Sequence, residues 1–554
     1  MKNTHSFVNL TPTSFLERSG LAFPNKIAID SNGKKITYAT LLSRSRKFAD
    51  MLRCLDLHYG DHVGLLTQNS AQGIEAHFAI PGAGGVIVSL NPWLSENDLL
   101  KQLLFAKIKI LLISNILFTR NRNMIDSIRS DVVVLVIDGK NGDDSDMICV
   151  EEDIENYKDD TPLDVCLRSE NDPIAMNFTS GTTGQPKGVI YTHRAAYLHA
   201  MGQVLMLSLR SESRYYWSLP MFHVNGWGHM WAVPVVGATQ YITNNGNNLD
   251  SSDILQELMR HRISHLAGSP RLIKSIAESK EETLHLQNLT VLTGGAAPTS
   301  DLVQKLLALG IELIHQYGLN ETCGPFVVCE KQEHWKELDV KNWSENCLRQ
   351  GVPAIHAGYG LRVVDSDGSD VPWDGNTMGE IIVSGNTVAK EYFDNAAATA
   401  DSFRNGWFHS GDIAVRHDDG YIQIKDRIKD IIHVTTDYGW ENISSIEIEN
   451  GINGISGISD VAVIGVSLTD DAEDQTLVAF YELDKGSNLD ASAIKNSCGP
   501  IFPGYKIPKY FVEYDIPKTA TGKIKKNELK DIYSNKYASM LAEEFVDRGV
   551  EEVT

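Results

Sequence analysis

Residues 178–188 read FTSGTTGQPKG. Three glycines (Gly181, Gly184, Gly188), four hydroxyls (Thr179, Ser180, Thr182, Thr183), a proline and Lys187 stand within eleven residues. Glycine lets successive backbone N–H groups converge on one anion, hydroxyls add donors and the lysine adds positive charge, so the composition suits a polyphosphate. The spacing is not that of the G-x-x-x-x-G-K-S/T loop. From composition alone, a Ser/Gly/Thr surface loop is the competing reading. The flanks favour the phosphate loop, because PIAMNF before it and GVIYTH after it are β-prone and hold it at both ends.

The chain has 554 residues, 42% hydrophobic and 22% charged, which are ordinary globular values and fit about three or four compact units. A net charge of −22 repels phosphate backbones and anionic lipid surfaces, which argues against nucleic-acid and membrane-surface roles but leaves a local nucleotide pocket open. The seven cysteines are scattered, with no C-x-x-C pair, so a reducing compartment is expected and a zinc site or disulfide framework is not. No signal peptide and no membrane-length apolar run is read, and the expectation is a soluble cytoplasmic protein.

Outward from the loop, helical and strand patterns alternate. Residues 36–55 place apolar side chains at helical spacing, HVGLLTQ from His62 reads as a buried strand, and VVVLVID (132–138) continues the α/β organisation. LTVLTGGAAP (289–298) is a strand ending in two glycines, followed by a helix with Ser300 as N-cap. IELIHQYGLNET is another strand ending in glycine. In a parallel sheet the two would deliver Gly294, Gly295, Tyr317 and Glu321 to one carboxyl-end crevice, where ligands bind in open α/β folds. Residues 351–421 change to short β runs, a small antiparallel sheet or barrel, and the chain becomes α/β again after the charged turn 426–430.

FTSGTTGQPKG, QYGLNET, HSGD (409–412), KDRIKD (425–430) and PKTATGKIKK (517–526), in that order, resemble the acyl-adenylate-forming superfamily of acyl-CoA synthetases, adenylation domains and beetle luciferases. LTPTSFLER, LPMFHVNGW, TMGEI and ENISSIEIE are most similar to its fatty-acyl and benzoyl-type CoA ligase branch. The resemblance implies a large N-terminal domain, 1–427, of two packed α/β subdomains plus a small β-barrel-like one. A hinge at 428–430 around Lys429 and a mobile α+β domain, 431–554, would follow. It implies that ATP and Mg²⁺ convert a carboxylic acid to an acyl-adenylate, releasing pyrophosphate, before the acyl group passes to a thiol, CoA first. A carrier-protein phosphopantetheine (acyl or peptidyl) or an amine is the alternative acceptor.

By the same resemblance, Thr179, Ser180, Gly181, Thr182, Thr183, Gly184 and Lys187 hold the outer phosphates, and Glu321 is the Mg²⁺ ligand. Tyr317 stacks on adenine opposite Gly295, Ala296 and Ala297, with Gln316, Gly318 and Asn320 alongside. Asp412 and Arg427 take the ribose, and Lys523 reaches the α-phosphate and the acid. His223, Trp227, Gly294 and Thr322 line the acid site, with Met230 and Trp231 shaping its tunnel, a crowding that suits a short-to-medium or flat aryl acid. A non-catalytic nucleotide-binding scaffold is the rival of another class. Oligomeric state is not legible. Four departures stand out: Asn320 where Thr is usual, Trp93 where Arg is common, Glu391 for Gly, and VTTDYGW (434–440) where relatives have a short Gly-Gly loop along the pantetheine tunnel.

Overall fold

The structure is a computed structural model that describes residues 6–139, 148–179, 187–243, 251–278, 286, 288–295, 297–436, 439–467, 475–484, 486–518 and 524–533. The chain divides into two compact units, one of residues 1–361 and 382–409, the other of 362–381 and 410–554.

The first unit is built on two mainly parallel sheets. In the described residues one has eight strands, running from Glu391–Tyr392 through Lys187–Thr192, Pro173–Thr179, Val86–Ser89, His62–Leu66 and Ile108–Ile113 to Val133–Val136 and Ile148–Cys149. Its central strands are apolar on both faces, as a sheet covered by helices on each side requires. Leu66, Val88, Ile113, Met176 and Ile190 are part of one core beneath it. Two pairings at one edge are antiparallel, Lys187–Thr192 with Pro173–Thr179 and Glu391–Tyr392 with Lys187–Thr192, so that Lys187–Thr192 alone of these three runs against the sheet.

The second sheet has nine strands and includes His265–Gly268, Thr290–Thr293 and Glu312–Leu319 in parallel succession. The expected delivery of both glycine-bearing strand ends to one side of this sheet therefore holds. The helix after the first of them, Ser300–Ala308, is capped by the Thr299 side chain, which accepts from Leu302 N, and not by Ser300. Thr299 has the extended backbone that a cap needs, and Ser300 already lies inside the helix.

Of the short β runs after residue 351, Leu361–Val364, Gly379–Val383, Phe403–Arg404, Trp407–Arg416 and Ile422–Arg427 form a five-stranded, mainly antiparallel sheet, while Val352–Pro353 joins the nine-stranded sheet and Glu391–Tyr392 the eight-stranded one. In the second unit, VTTDYGW falls in a β-hairpin, with strands Ile432–Thr436 and Gly439–Ile443 in register from Ile432↔Ile443 to Thr436↔Gly439. Tyr438 lies outside the described residues. A three-stranded sheet (Ile458–Val466, Thr476–Leu483, Tyr510–Glu513) and the helix Ser445–Asn453 close a core around Ile448, Val461, Val463 and Ala479. Among the described residues no helix is long and apolar enough to cross a membrane.

Candidate active site

The strands flanking the Gly-rich stretch form a hairpin whose last described pair is Thr179↔Lys187, with Phe178↔Gly188 next to it. Ser180, Gly181, Thr182, Thr183 and Gly184 lie outside the described residues, but the two ends of their loop are fixed side by side. Lys187 then points at the neighbouring edge strand. Its Nζ lies 4.6 Å from the centre of the Tyr392 ring, a cation over an aromatic face.

Tyr392 does a second thing. Its hydroxyl donates to Glu321 Oε1 at 2.8 Å. Burial, and then the Glu321 charge, raise the phenol above its ordinary range, so it remains a donor. One ring thus faces the lysine and orients the carboxylate expected to take Mg²⁺. The turn carrying Glu321 is a 3-10 turn, Asn320–Thr322, fixed from three sides. Asn320 Nδ2 donates to Phe178 O at 3.1 Å, Ala389 N donates to Glu321 O at 2.8 Å, and Leu319 N donates to Thr322 Oγ1 at 2.8 Å. Asn320, the departure from Thr, therefore ties the Glu321 turn to the residue before the Gly-rich loop. Thr322 is buried, and its hydroxyl also donates to Gly324 O at 2.6 Å, which helps hold the turn. Glu391 sits exposed on the edge strand at ordinary negative φ, which is why a glycine is not needed there.

Tyr392 was not singled out by the sequence, which drew attention to Glu391 beside it. The signal that would have found it is strand pairing, because Tyr392 lies opposite Val189 on the strand that Lys187 begins.

The adenine candidates gather at the ends of Thr290–Thr293 and Glu312–Leu319. Gly295 has φ +83, and the Cβ of any residue at 318 would lie 2.1 Å from Gly324 O. Tyr317 is half-buried, whereas the Gln316 side chain, one residue earlier, points to the opposite face and approaches Gln203 and Met206 of the helix His193–Met206. Alternation along a strand dictates this, so Gln316 meets the Tyr317 face only through its backbone. Ala297 is half-buried; Ala296 lies outside the described residues.

At the expected acid site, a Cβ on Gly294 would stand 2.8 Å from the Gln316 backbone oxygen, which excludes a larger residue there, and 3.2 Å from the tip of Trp227. His223 is half-buried and precedes a helical turn, Val224–Trp227, that winds left-handed. φ is +49, +49, +55, +54 and +75 from Val224 to Gly228. Each non-glycine residue in that conformation costs about 1–2 kcal/mol, and Val224 is β-branched. Asn69, just beyond the His62–Leu66 strand, anchors the approach to it, donating to Leu219 O and accepting from Met221 N, both at 2.8 Å. Trp231 and Met230, expected to shape a tunnel, are wholly buried in the core. The Trp231 indole donates to His77 O at 3.4 Å. Trp93 is 40% exposed and packs edge-on against Phe222, ring centres 5.3 Å apart.

In the second unit, Asp412 and Arg427 face each other on antiparallel strands Trp407–Arg416 and Ile422–Arg427, with Arg427 Nε 3.1 Å from the buried Asp412 Oδ1. The 3-10 turn Ile428–Asp430 follows at once and contains Lys429, whose ammonium burial pushes below its ordinary value. Asp426 is buried and accepts from Ser445 N and Oγ at 2.5 and 2.6 Å, and Lys526 sits 2.8 Å from Glu449 in the same cluster. Lys523 lies outside the described residues.

Among the described residues no group of three or more His, Cys, Asp or Glu is placed to hold a metal. Mg²⁺ does not need one, since it is commonly held by one or two carboxylates with substrate phosphates completing its shell. A single oriented carboxylate beside a fixed cation fits that donor set.

The fold matches the crystal structure of the anthranilate CoA ligase AuaEII in complex with anthranoyl-AMP, with a TM-score of 0.83 at 23% identity over 98% of this chain and 100% of that one. The model of the AMP-binding enzyme family matches residues 16–393, and that of the AMP-binding enzyme C-terminal domain residues 447–523. Curated relatives include 4-hydroxybutyrate–CoA ligase 2 of Metallosphaera sedula, 34% identical, covering 94% of each chain. Another is the peroxisomal trans-cinnamate:CoA ligase of Petunia hybrida, 32% identical over 95% of this chain and 94% of its own. The chain belongs to the AMP-binding enzyme family, and it is a ligase.

Proposed function

We propose that this ligase uses ATP and Mg²⁺ to activate a small carboxylic acid as its acyl-adenylate, and then transfers the acyl group to CoA. The observation that carries the reading is the Lys187–Tyr392–Glu321 arrangement beside the hairpin that closes on Thr179↔Lys187. A cation and a carboxylate fixed on two sides of one phenol suit a polyphosphate and its metal. The names of the curated relatives, all CoA ligases among those above, support the acceptor.

Two anions must meet for the acid to attack the α-phosphate, so fixed positive charge and donors are the main catalytic requirement. Lys187 and the loop from Thr179 to Gly184 hold the departing phosphates. Glu321 holds Mg²⁺, which when bound neutralises phosphate charge. Tyr317 and Gly318, with Gly295 to Ala297 opposite and the Gln316 backbone alongside, receive adenine. Asp412 accepts from the ribose hydroxyls, with Arg427 orienting it. Lys523 neutralises charge at the reacting centre. The acid lies between His223, Trp227 and Gly294, and the close approach of Trp227 to Gly294 favours a short or flat acid. We take residues 1–427 as the adenylating domain, 428–430 as the hinge and 431–554 as the moving lid. The turn Ile428–Asp430 directly after Arg427 suits that role.

The test is acid-dependent ATP–pyrophosphate exchange over a panel of short, branched and aryl acids, followed by product analysis with CoA. Exchange with short or aryl acids and thioester formation are expected, and Lys523→Ala should lower exchange at least a hundredfold. No exchange with any acid would refute adenylation, and exchange without thioester would refute the acceptor.

A further inference from the structure

We propose that Asn225, gripped by His77 and Ser89, is the positioning residue of the acid site. It holds the left-handed turn that has His223 at one end and Trp227 at the other. The inference rests on the reading that these two residues line the acid site.

The turn is locally expensive. Five successive residues have positive φ, three of them not glycine. Its own hydrogen bonds are few: Gly226 N donates to His223 O at 3.0 Å and Gly228 N to Asn225 O at 3.1 Å. Such a conformation persists only where its surroundings over-determine it. The Asn225 side chain leaves the turn to meet the elements of the other sheet of the unit. Its amide lies 3.3 Å from His77 Nε2, on the helix Ala71–Gly82, and 3.2 Å from Ser89 Oγ, at the end of the strand Val86–Ser89. All three side chains are fully buried or nearly so.

The protonation pattern makes this a specific lock. His77 Nδ1 lies 2.7 Å from Gly73 O, a carbonyl that can only accept, so Nδ1 carries the ring proton. Burial keeps the imidazole neutral, its pKa lowered to about 4. Nε2 is then a bare acceptor and must face an N–H. Asn225 Oδ1 stands opposite Nε2 and accepts from Ser89 Oγ; two acceptors cannot pair, so the amide is assigned turned over, its nitrogen donating to His77 Nε2 and to Ser89 Oγ. Oxygen and nitrogen of an amide are assigned by such partners. Neither an aspartate, which lacks donors, nor a serine, with one, can make both bonds. Around this lock, Gly226 packs so closely on Trp217 that a Cβ would stand 2.5 Å from the indole, which fixes the turn's other side.

Two variants separate the lock from the backbone. In Asn225→Gly the positive φ becomes free of strain and only the amide is lost. Ser89→Ala removes one partner from the first sheet and leaves the turn untouched. Acid KM, ATP KM and kcat are measured by ATP–pyrophosphate exchange over the acid panel, with thermal melting alongside. The expected result is that Asn225→Gly raises acid KM about tenfold and reorders acid preference while ATP KM stays within twofold. Ser89→Ala should move acid KM in the same direction, about threefold, and decides the matter where Asn225→Gly is not recovered folded. An unchanged acid KM in the folded variants, or an equal loss across every acid and ATP, overturns the proposal. Trp227→Ala tests the underlying reading separately. If it leaves acid preference unchanged, the acid does not lie there. If it alters preference while Asn225→Gly and Ser89→Ala do not, the lock alone fails.

Discussion

Replacing Tyr392 by Phe removes one oxygen and leaves the ring. The hydroxyl donates to Glu321 Oε1 at 2.8 Å, and a hydrogen bond to a charged group contributes about 1.5–3 kcal/mol. Glu321 is itself only half-buried, so water replaces part of the lost bond and the lower end of that range applies. At about 1.4 kcal/mol per factor of ten, the apparent affinity for Mg²⁺·ATP should fall about tenfold, a size usual for the loss of a partner that orients a metal-binding carboxylate. The ring of Phe still lies under Lys187 Nζ, 4.6 Å from its centre in the parent. Tyr392→Leu, which loses that cation–π contact too, should therefore fall about two- to fivefold further. The assay is ATP–pyrophosphate exchange titrated with Mg²⁺·ATP at saturating acid, with acid KM as the internal control. If Tyr392→Phe leaves the Mg²⁺·ATP dependence unchanged, Glu321 does not act through this hydroxyl.

Three further outcomes follow from buried groups. Lys526→Met leaves Glu449 and Asp426 without their buried cation and should cost about 3–5 kcal/mol, read as a lowered urea midpoint; an unchanged midpoint would refute the pairing seen at 2.8 Å. Gly318→Ala places a methyl 2.1 Å from Gly324 O and should destabilise by about 3 kcal/mol or more, with a melting temperature equal to the parent's counting against it. Burial lowers His77, His193, His315 and His356 from 6.5 to about 4, and His229 to about 3. These folded-state values lie below the unfolded one, so the stability they contribute is complete above pH 6.5 and is lost as pH falls from there towards 4. Each adds a slope of up to about 1.4 kcal/mol per pH unit. Melting temperature should drop steeply between pH 6.5 and 5, and a flat profile there would contradict neutral burial of these rings.

The parallel strands ending at Thr293 and Leu319, and the edge hairpin ending at Thr179↔Lys187, were legible because each is an apolar run stopped by glycine. The cap of the helix Ser300–Ala308 was misplaced by one residue, since Thr299 and Ser300 both carry hydroxyls and only backbone angles tell which caps. Trp231 and Met230 were expected beside the acid because they follow His223 closely in sequence. The left-handed turn intervenes and sends them into the core. Neither that turn nor Tyr392 could be read in advance. The first is a conformation that most of its residues disfavour, and the second gains its role from a pairing across about 200 positions of sequence.

The anchoring of residues 219–225 on Asn69, His77 and Ser89 bears on how such enzymes can be recombined. The segment proposed to face the acid, moved alone from one member to another, arrives without the helix and strand that give it its shape. Transplants that carry residues 67–89 together with 217–231 keep donor and recipient sides of that joint matched. Those that carry only the second segment place an unfamiliar turn on a foreign mount, and should lose selectivity even where every acid-facing side chain has been copied.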